Sequence, residues 1–277
     1  MTTALVAPSS IRTRDPERRR AERVMGSVVS LFVPEGGATS DAADAAFAWF
    51  HDVHRRFNPF DPQSEVGHLM RGEVAPADVS DDLSEVLEVA DAVELLSDGA
   101  FDIRAHRVDG APDPTAIVKG WSVDRAADIL AAGGIERFTL NAGGDVVVRG
   151  GQQPGVPWRI GVADPFASDR VALVLEAEGL AIATSGTTER GLHIIDARTG
   201  DVAQELPAVT VLGPSLARAD GYATAACAIG RAGLRWVDAL PGYDAAGITL
   251  DGRLLGTRGL ERYRAKGAPF PASGRRR

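Results

Sequence analysis

Seven short runs rich in apolar and β-branched residues follow one another at 138–141, 145–149, 158–162, 171–176, 180–184, 193–196 and 209–213. The turns between them carry glycine, proline or aspartate. That spacing predicts strands joined by turns. No regular strand–helix alternation runs through the stretch, so a largely antiparallel sheet is expected.

Helical patterns flank this block. Ser40 can cap a helix over 41–57, whose apolar face is Ala43, Phe47, Phe50, Val53 and Phe57. A proline-interrupted loop then enters a short helix at Ser64. Ser80 caps a second long helix with Leu83, Val86, Leu87, Ala90, Val93 and Leu96 on one face, closed by Gly99. A third is expected over 118–132, ended by Gly133 and Gly134. Beyond the strands, helices are expected over 219–229 and 232–240. Asp251-Gly252 then joins strands 248–250 and 253–255 as a hairpin. An opening strand is read over 24–33. The fold class is therefore α+β. One domain is expected over 24–267, with a flexible arm over 1–23 and a disordered tail over 268–277.

With 277 residues the chain can bury a sizeable core. Its net charge of −8 argues against a general nucleic-acid binder, which needs a basic face. The single cysteine, Cys227, excludes an internal disulfide and a cysteine zinc site. It lies among alanines and reads as a small core residue. No run approaches the roughly 20 apolar residues of a membrane span. The N-terminal arginines precede no apolar signal core, so the expected compartment is the cytoplasm.

The common nucleotide and hydrolase motifs are absent: no GxGxxG after a strand, no GxxxxGK[ST], GxSxG or HExxH. What remains is a set of polar residues that each admit two readings. In DPTAIVKG (113–120), Lys119 could meet a phosphate at a helix entry or be a solvated lysine. The glycines of NAGGDV (141–146) could let backbone approach a ligand or simply make a tight turn. Thr184, Ser185 and Gly186 offer hydroxyl donors and a permissive glycine, suited to phosphate. His193 is a general base only if a neighbour fixes its tautomer and a substrate hydroxyl lies in reach. Asp220 and Thr224 are four residues apart and share a helix face, where with backbone carbonyls they could bind Mg²⁺. Asp220 alone is equally a helix-start residue facing the macrodipole.

The order of these pieces is specific. MGS (25–27), FDPQSEVGHL (60–69), DGAFD (98–102), DPTAIVKGWSVDRAADIL (113–130), NAGGDVVVRG (141–150), ATSGTTERGLHIIDARTG (183–200) and VTVLGPSLARADGYATAACAIG (209–230) together resemble the ApbE family, the FAD:protein FMN transferases. The resemblance implies an α/β fold with a central antiparallel core that binds FAD in an elongated cleft. It implies Mg²⁺-dependent cleavage of the FAD pyrophosphate. FMN passes to a threonine or serine of an acceptor flavoprotein and AMP leaves; some members chiefly hydrolyse FAD. Carried onto this chain, the catalytic residues are His193, as base, and Asp220. The metal ligands are Asp220, Thr224 and the carbonyls of Ala116 and Ala223. Flavin-nucleotide contacts fall on Met25, Phe60, Ala100, Phe101, Asp102, Asp113, Lys119, Thr184, Ser185 and Ile194. No nucleic acid and no membrane insertion are implied.

The chain departs from the family at three places. Position 60 is phenylalanine where many members have tyrosine, which keeps a stacking face and loses a hydroxyl. Met70-Arg71 replace the asparagine usual after SEVGHL. The link from Asp102 to Asp113 is shorter than in typical members. Two other functions compete with transfer: an FAD pyrophosphatase, and an FAD-binding protein without turnover.

Overall fold

Strand pairing proceeds mostly hairpin by hairpin. In the computed structural model, residues 5–6, 17–105, 107, 109–186 and 194–265 are described. The strands are β1 (Leu5–Val6), β2 (Arg19–Val24), β3 (Ser27–Phe32), β4 (Phe138–Ala142), β5 (Asp145–Arg149), β6 (Trp158–Asp164), β7 (Ala167–Ala177), β8 (Ala181–Gly186), β9 (Ala208–Gly213), β10 (Asp244–Ile248) and β11 (Leu254–Gly256). The helices are α1 (Asp41–Arg56), α2 (Glu65–Met70), α3 (Asp81–Leu96), α4 (Thr115–Ala132), α5 (Leu216–Ile229) and α6 (Arg231–Val237). Eight strands form one sheet in the order β11-β10-β9-β8-β5-β4-β3-β2, and β1-β6-β7 form a second. Every pairing is antiparallel, as expected for α+β.

Period-two alternation splits the large sheet into two buried faces. Leu140, Val147, Ala183 and Val211 join one core with the apolar stripes of α1, α3, α4 and α5. Val146, Val148, Ile182 and Leu212 face the other way, against Trp158, Ile160, Leu173 and Leu175 of the small sheet. The sheet is thus sandwiched between helices and a long hairpin. The long helices predicted from periodicity are present. Ser40, Ser64 and Ser80 each accept from a first-turn amide, as their N-cap positions require. Asp251-Gly252 does lie in the hairpin connection of β10 and β11, but the strands are Asp244–Ile248 and Leu254–Gly256 rather than 248–250 and 253–255.

Several expectations are corrected. The run 24–33 is not one strand: Met25-Gly26 is a two-residue loop, closed by the pair Val24↔Ser27, that turns β2 into β3. The arm proposed over 1–23 therefore ends earlier, because Arg19–Val24 pairs with β3 along its whole length. Its alternation is of polar residues, and Arg20 binds Asp44 and covers the Phe47 ring at 4.2 Å. A charged edge strand of this kind resists pairing with other chains. The α4 helix starts at Thr115 rather than 118, and α5 at Leu216 rather than 219. Among the described residues of 193–196, Ile195 makes one bridge to Val202 and Asp196 begins a turn, so the expected strand does not form there.

Candidate functional site

β4 and β5 are joined by Gly143-Gly144, both at positive φ (61° and 105°). A side chain on Gly143 would strike Ser27 Oγ. This tight turn opens β5 with Asp145 on the helix-facing side of the sheet, in phase with Val147. On the neighbouring strand β8, the same alternation aims Ser185 at α5. Thr184 points to the opposite face, where its hydroxyl pairs with that of Thr210 at 2.9 Å. Only one of the two hydroxyls expected near phosphate therefore faces the helices.

Above this surface α4 and α5 cross closely. A Cβ on Gly120 would lie 2.8 Å from Ala217 Cα and from Leu216 O. Four residues on, the Asp124 carboxylate from α4 caps the start of α5. It accepts from the Leu216 amide at 2.9 Å, the Ala217 amide at 3.0 Å and the Ser215 hydroxyl at 2.9 Å. Burial pushes the Asp124 pKa up, and these three donors oppose the shift. Ser215 accepts in turn from Arg218, which explains why α5 begins earlier than its apolar pattern suggested.

The crossing brings Lys119 of α4 beside Asp220 of α5, with Nζ 3.3 Å from Oδ2. The same ammonium pairs with Asp145 Oδ2. Asp145 Oδ1 accepts from the Thr184 amide at 3.0 Å. Side-chain exposure is 3% for Asp145 and 10% for Asp220, against 34% for Lys119. Burial works against the ammonium, but the two carboxylates outweigh it and push the Lys119 pKa up. One turn beyond Asp220, the Thr224 hydroxyl meets Ser185 Oγ at 2.9 Å. Lys119, Asp145, Asp220 and the Thr184 amide thus form one linked set under the α4–α5 crossing, with the Ser185–Thr224 pair one turn further along α5.

The donor set suits a hard cation. Asp220 and Thr224 present a carboxylate and a hydroxyl on one face of α5, the oxygen chemistry Mg²⁺ prefers. Ala116, in the first turn of α4, is exposed; Ala223 is buried mid-helix in α5. Their carbonyls also face amides four residues on, as in any helix. Among the described residues, no group of three or more His, Cys, Asp or Glu is arranged to hold a metal. Mg²⁺ commonly takes few protein ligands and completes its shell with phosphate and water.

Of the remaining residues expected from sequence, Met25 is linked to Lys119 through Ser122, and the others make contacts of their own. Met25 has a left-handed backbone, φ 52°, which is strained for a side chain of its size. Its sulfur lies 3.7 Å from Ser122 Oγ, which donates to the Lys119 carbonyl at 2.7 Å. Asp113 Oδ1 accepts from the Thr115 amide and hydroxyl at 3.1 and 2.6 Å, so it caps α4. Its own amide donates to the Ile103 carbonyl at 2.9 Å, which closes the short link from Asp102. Asp102 accepts from the Arg104 amide at 2.8 Å. Ala100 and Phe101 are buried, and the Ala100 carbonyl accepts from Ala197 at 3.2 Å. That contact ties DGAFD to the turn after Ile194, itself buried. Phe60 is 92% exposed, and no contact among the described residues joins it to the patch. His193 lies outside the described residues.

Sequence reasoning missed Asp145 and Asp124. The signal for Asp145 was its place directly after the Gly-Gly turn, in phase with a helix-facing valine. Asp124 has no local signal, because its partners lie 91–93 residues away.

Comparison with known proteins agrees with this architecture. An FAD:protein FMN transferase of Vibrio cholerae serotype O1 is 39% identical over 128 residues, which are 43% of this chain and 38% of that protein. One of Rhodobacter capsulatus is 37% identical over 170 residues, 58% of this chain and 32% of that protein. The chain thus spans well under half the length of these curated relatives. Among solved structures, the flavin transferase ApbE of Vibrio cholerae superposes with a TM-score of 0.76 at 22% identity, covering 88% of this chain and 98% of that one. The ApbE protein of Thermotoga maritima gives 0.76 at 22% identity, covering 90% and 99%. These two show a shared fold. The sequence model described as the ApbE family matches residues 25–111 and 108–246, most of the chain. By that match, and with the ordered motifs brought onto one fold, the chain belongs to the ApbE family.

Proposed function

We propose that this chain transfers FMN from FAD to a threonine or serine hydroxyl of an acceptor flavoprotein. One P–O bond of the FAD pyrophosphate breaks and AMP leaves. One P–O bond forms to the acceptor oxygen, whose proton passes to a base. The observation that carries the reading is the Lys119–Asp220 pair beside the Thr224–Ser185 pair, one turn apart on α5, in a chain whose curated relatives are named for this reaction.

Each residue has work suited to its chemistry. Asp220 and Thr224 would hold Mg²⁺, with the Ala116 and Ala223 carbonyls as further candidates. The bound cation would neutralise charge that builds on the pyrophosphate. Lys119 would bind a phosphate oxygen, since a third of its side chain is exposed. Ser185 holds the Thr224 hydroxyl in place and can donate to phosphate. Met25, Phe60, the backbone of 100–102 and the Asp113 turn would grip the flavin and adenine ends. His193 is assigned the acceptor's proton on its sequence position alone. Among the described residues no helix is long and apolar enough to cross a membrane.

The test is to incubate the purified chain with FAD, Mg²⁺ and threonine-containing acceptor peptides. Acceptor-dependent AMP release, abolished in Asp220→Ala, supports the reading. AMP and free FMN without acceptor would assign a pyrophosphatase instead. Intact bound FAD in both proteins would assign a binder without turnover.

A further inference from the structure

Asp145 belongs to no ligand set carried over from the family, yet it is the most buried charge in the patch. Its two oxygens are both engaged: one by the Thr184 amide at 3.0 Å, the other by the Lys119 ammonium. The first contact fixes the carboxylate to β8, so its position does not follow the lysine. Lys119 is the mobile partner. It is a third exposed and carried on a flexible four-carbon stem, while Asp145 and Asp220 are nearly closed off. The ammonium is therefore shared by a fixed carboxylate and by the carboxylate proposed to hold the cation.

We infer that Lys119 is the built-in counter-ion of Asp220, shared with Asp145, and that a divalent cation must displace it from Asp220 to bind. The inference rests on the reading of Asp220 and Thr224 as a cation site. The physics is that of two cations competing for one buried carboxylate: an ammonium in contact with Asp220 offsets its charge and repels Mg²⁺ at short range. Asp145 softens that competition, because it gives the displaced ammonium a second partner and draws it away from Asp220. Asp145 is then a positioning residue that acts through Lys119. Without it, the lysine would lean wholly on Asp220. Cation entry and release of Lys119 from Asp220 become one event. An ammonium is thereby made available for a phosphate only when the cation is in place.

The experiment is calorimetric titration of Mg²⁺ alone into the FAD-free full chain, with thermal unfolding alongside. Lys119→Met should bind Mg²⁺ at least about fivefold tighter than the native chain, the lower end of ordinary coupling between two sites. Its melting temperature should fall without Mg²⁺, and Mg²⁺ should raise it more than it raises the native chain's. Asp145→Asn should bind Mg²⁺ more weakly than native. Lys119→Met removes the cation that two buried carboxylates share and can fail to fold, so the same comparison is made in a second background. There, Lys119→Met/Asp145→Asn should bind Mg²⁺ tighter than Asp145→Asn by at least the same factor. A merely structural lysine would change the melting temperature and not the affinity. Unchanged or weaker Mg²⁺ binding on removal of Lys119, in either background, overturns the inference while the cation site stands. A native chain that binds no Mg²⁺ overturns the site and the inference together.

Discussion

Replacing Gly120 with alanine sets two effects against each other, and the structure decides the sign. In an exposed helix interior the change would stabilise by about 1 kcal/mol, the usual helix-propensity gap between glycine and alanine. Here the new Cβ would lie 2.8 Å from Ala217 Cα, 2.8 Å from Leu216 O and 2.9 Å from Ala217 N. All three are backbone atoms of α5, so no side chain can turn aside. The helices must part by roughly half an ångström, and overpacking of this kind costs about 1–3 kcal/mol. The expected net effect is a loss of about 1 kcal/mol. The parting also separates Lys119 from Asp220. A misplacement of about 1 Å in a site of this type can cost 10²-fold, so turnover should fall by roughly tenfold. The assay is urea unfolding paired with AMP release from FAD. A Gly120→Ala protein that is stabilised by about 1 kcal/mol with unchanged turnover would refute the close crossing and its role in shaping the site.

Three further outcomes follow from the same structure. Asp124→Ala strands the Leu216 and Ala217 amides and the Ser215 hydroxyl, and should destabilise by about 2 kcal/mol in urea unfolding, with Asp124→Asn milder. The Tyr243 hydroxyl is buried without a hydrogen-bond partner among the described residues, so Tyr243→Phe should leave stability unchanged or raise it by up to about 1 kcal/mol in thermal unfolding. Arg198 donates to both oxygens of Asp196 and holds its pKa below the ordinary carboxylate value. A lowered folded pKa means stability that is full above the unfolded value of about 4 and is lost as pH falls through the folded one. The amide of Ala203, bonded to Ile194, should therefore lose hydrogen-exchange protection below about pH 4, and Asp196→Asn should remove that pH dependence.

What was legible in the sequence was what short-range physics determines. The long helices follow from apolar periodicity and serine caps, and six of the seven central strand runs from residue type and turn chemistry. Asp220 and Thr224 were readable together because helical geometry alone puts positions four apart on one face. The rest depended on which elements meet. Arg19–Val24 is mostly charged before its buried Val24 and becomes a strand only because β3 offers it an edge. Met25-Gly26 looked like strand interior because its neighbours are apolar, whereas the structure spends it on a turn. Thr184 and Ser185 read as a pair of donors, but strand alternation sends their hydroxyls to opposite faces. Asp145 and Asp124 acquire their roles only when α4 lies across β5 and α5. The resemblance to ApbE proteins supplied the reaction, which no local pattern here could have named.

The central claim is that the patch beneath α4 and α5 moves FMN onto another protein. Its most direct test is mass spectrometry of an acceptor peptide after incubation with the chain, FAD and Mg²⁺, with AMP measured in the same tube. The account predicts one FMN, joined through phosphate to a threonine or serine, for each AMP released, and neither product with Asp220→Ala. AMP released with no modified peptide under any acceptor sequence, or modification that persists in Asp220→Ala, would contradict it.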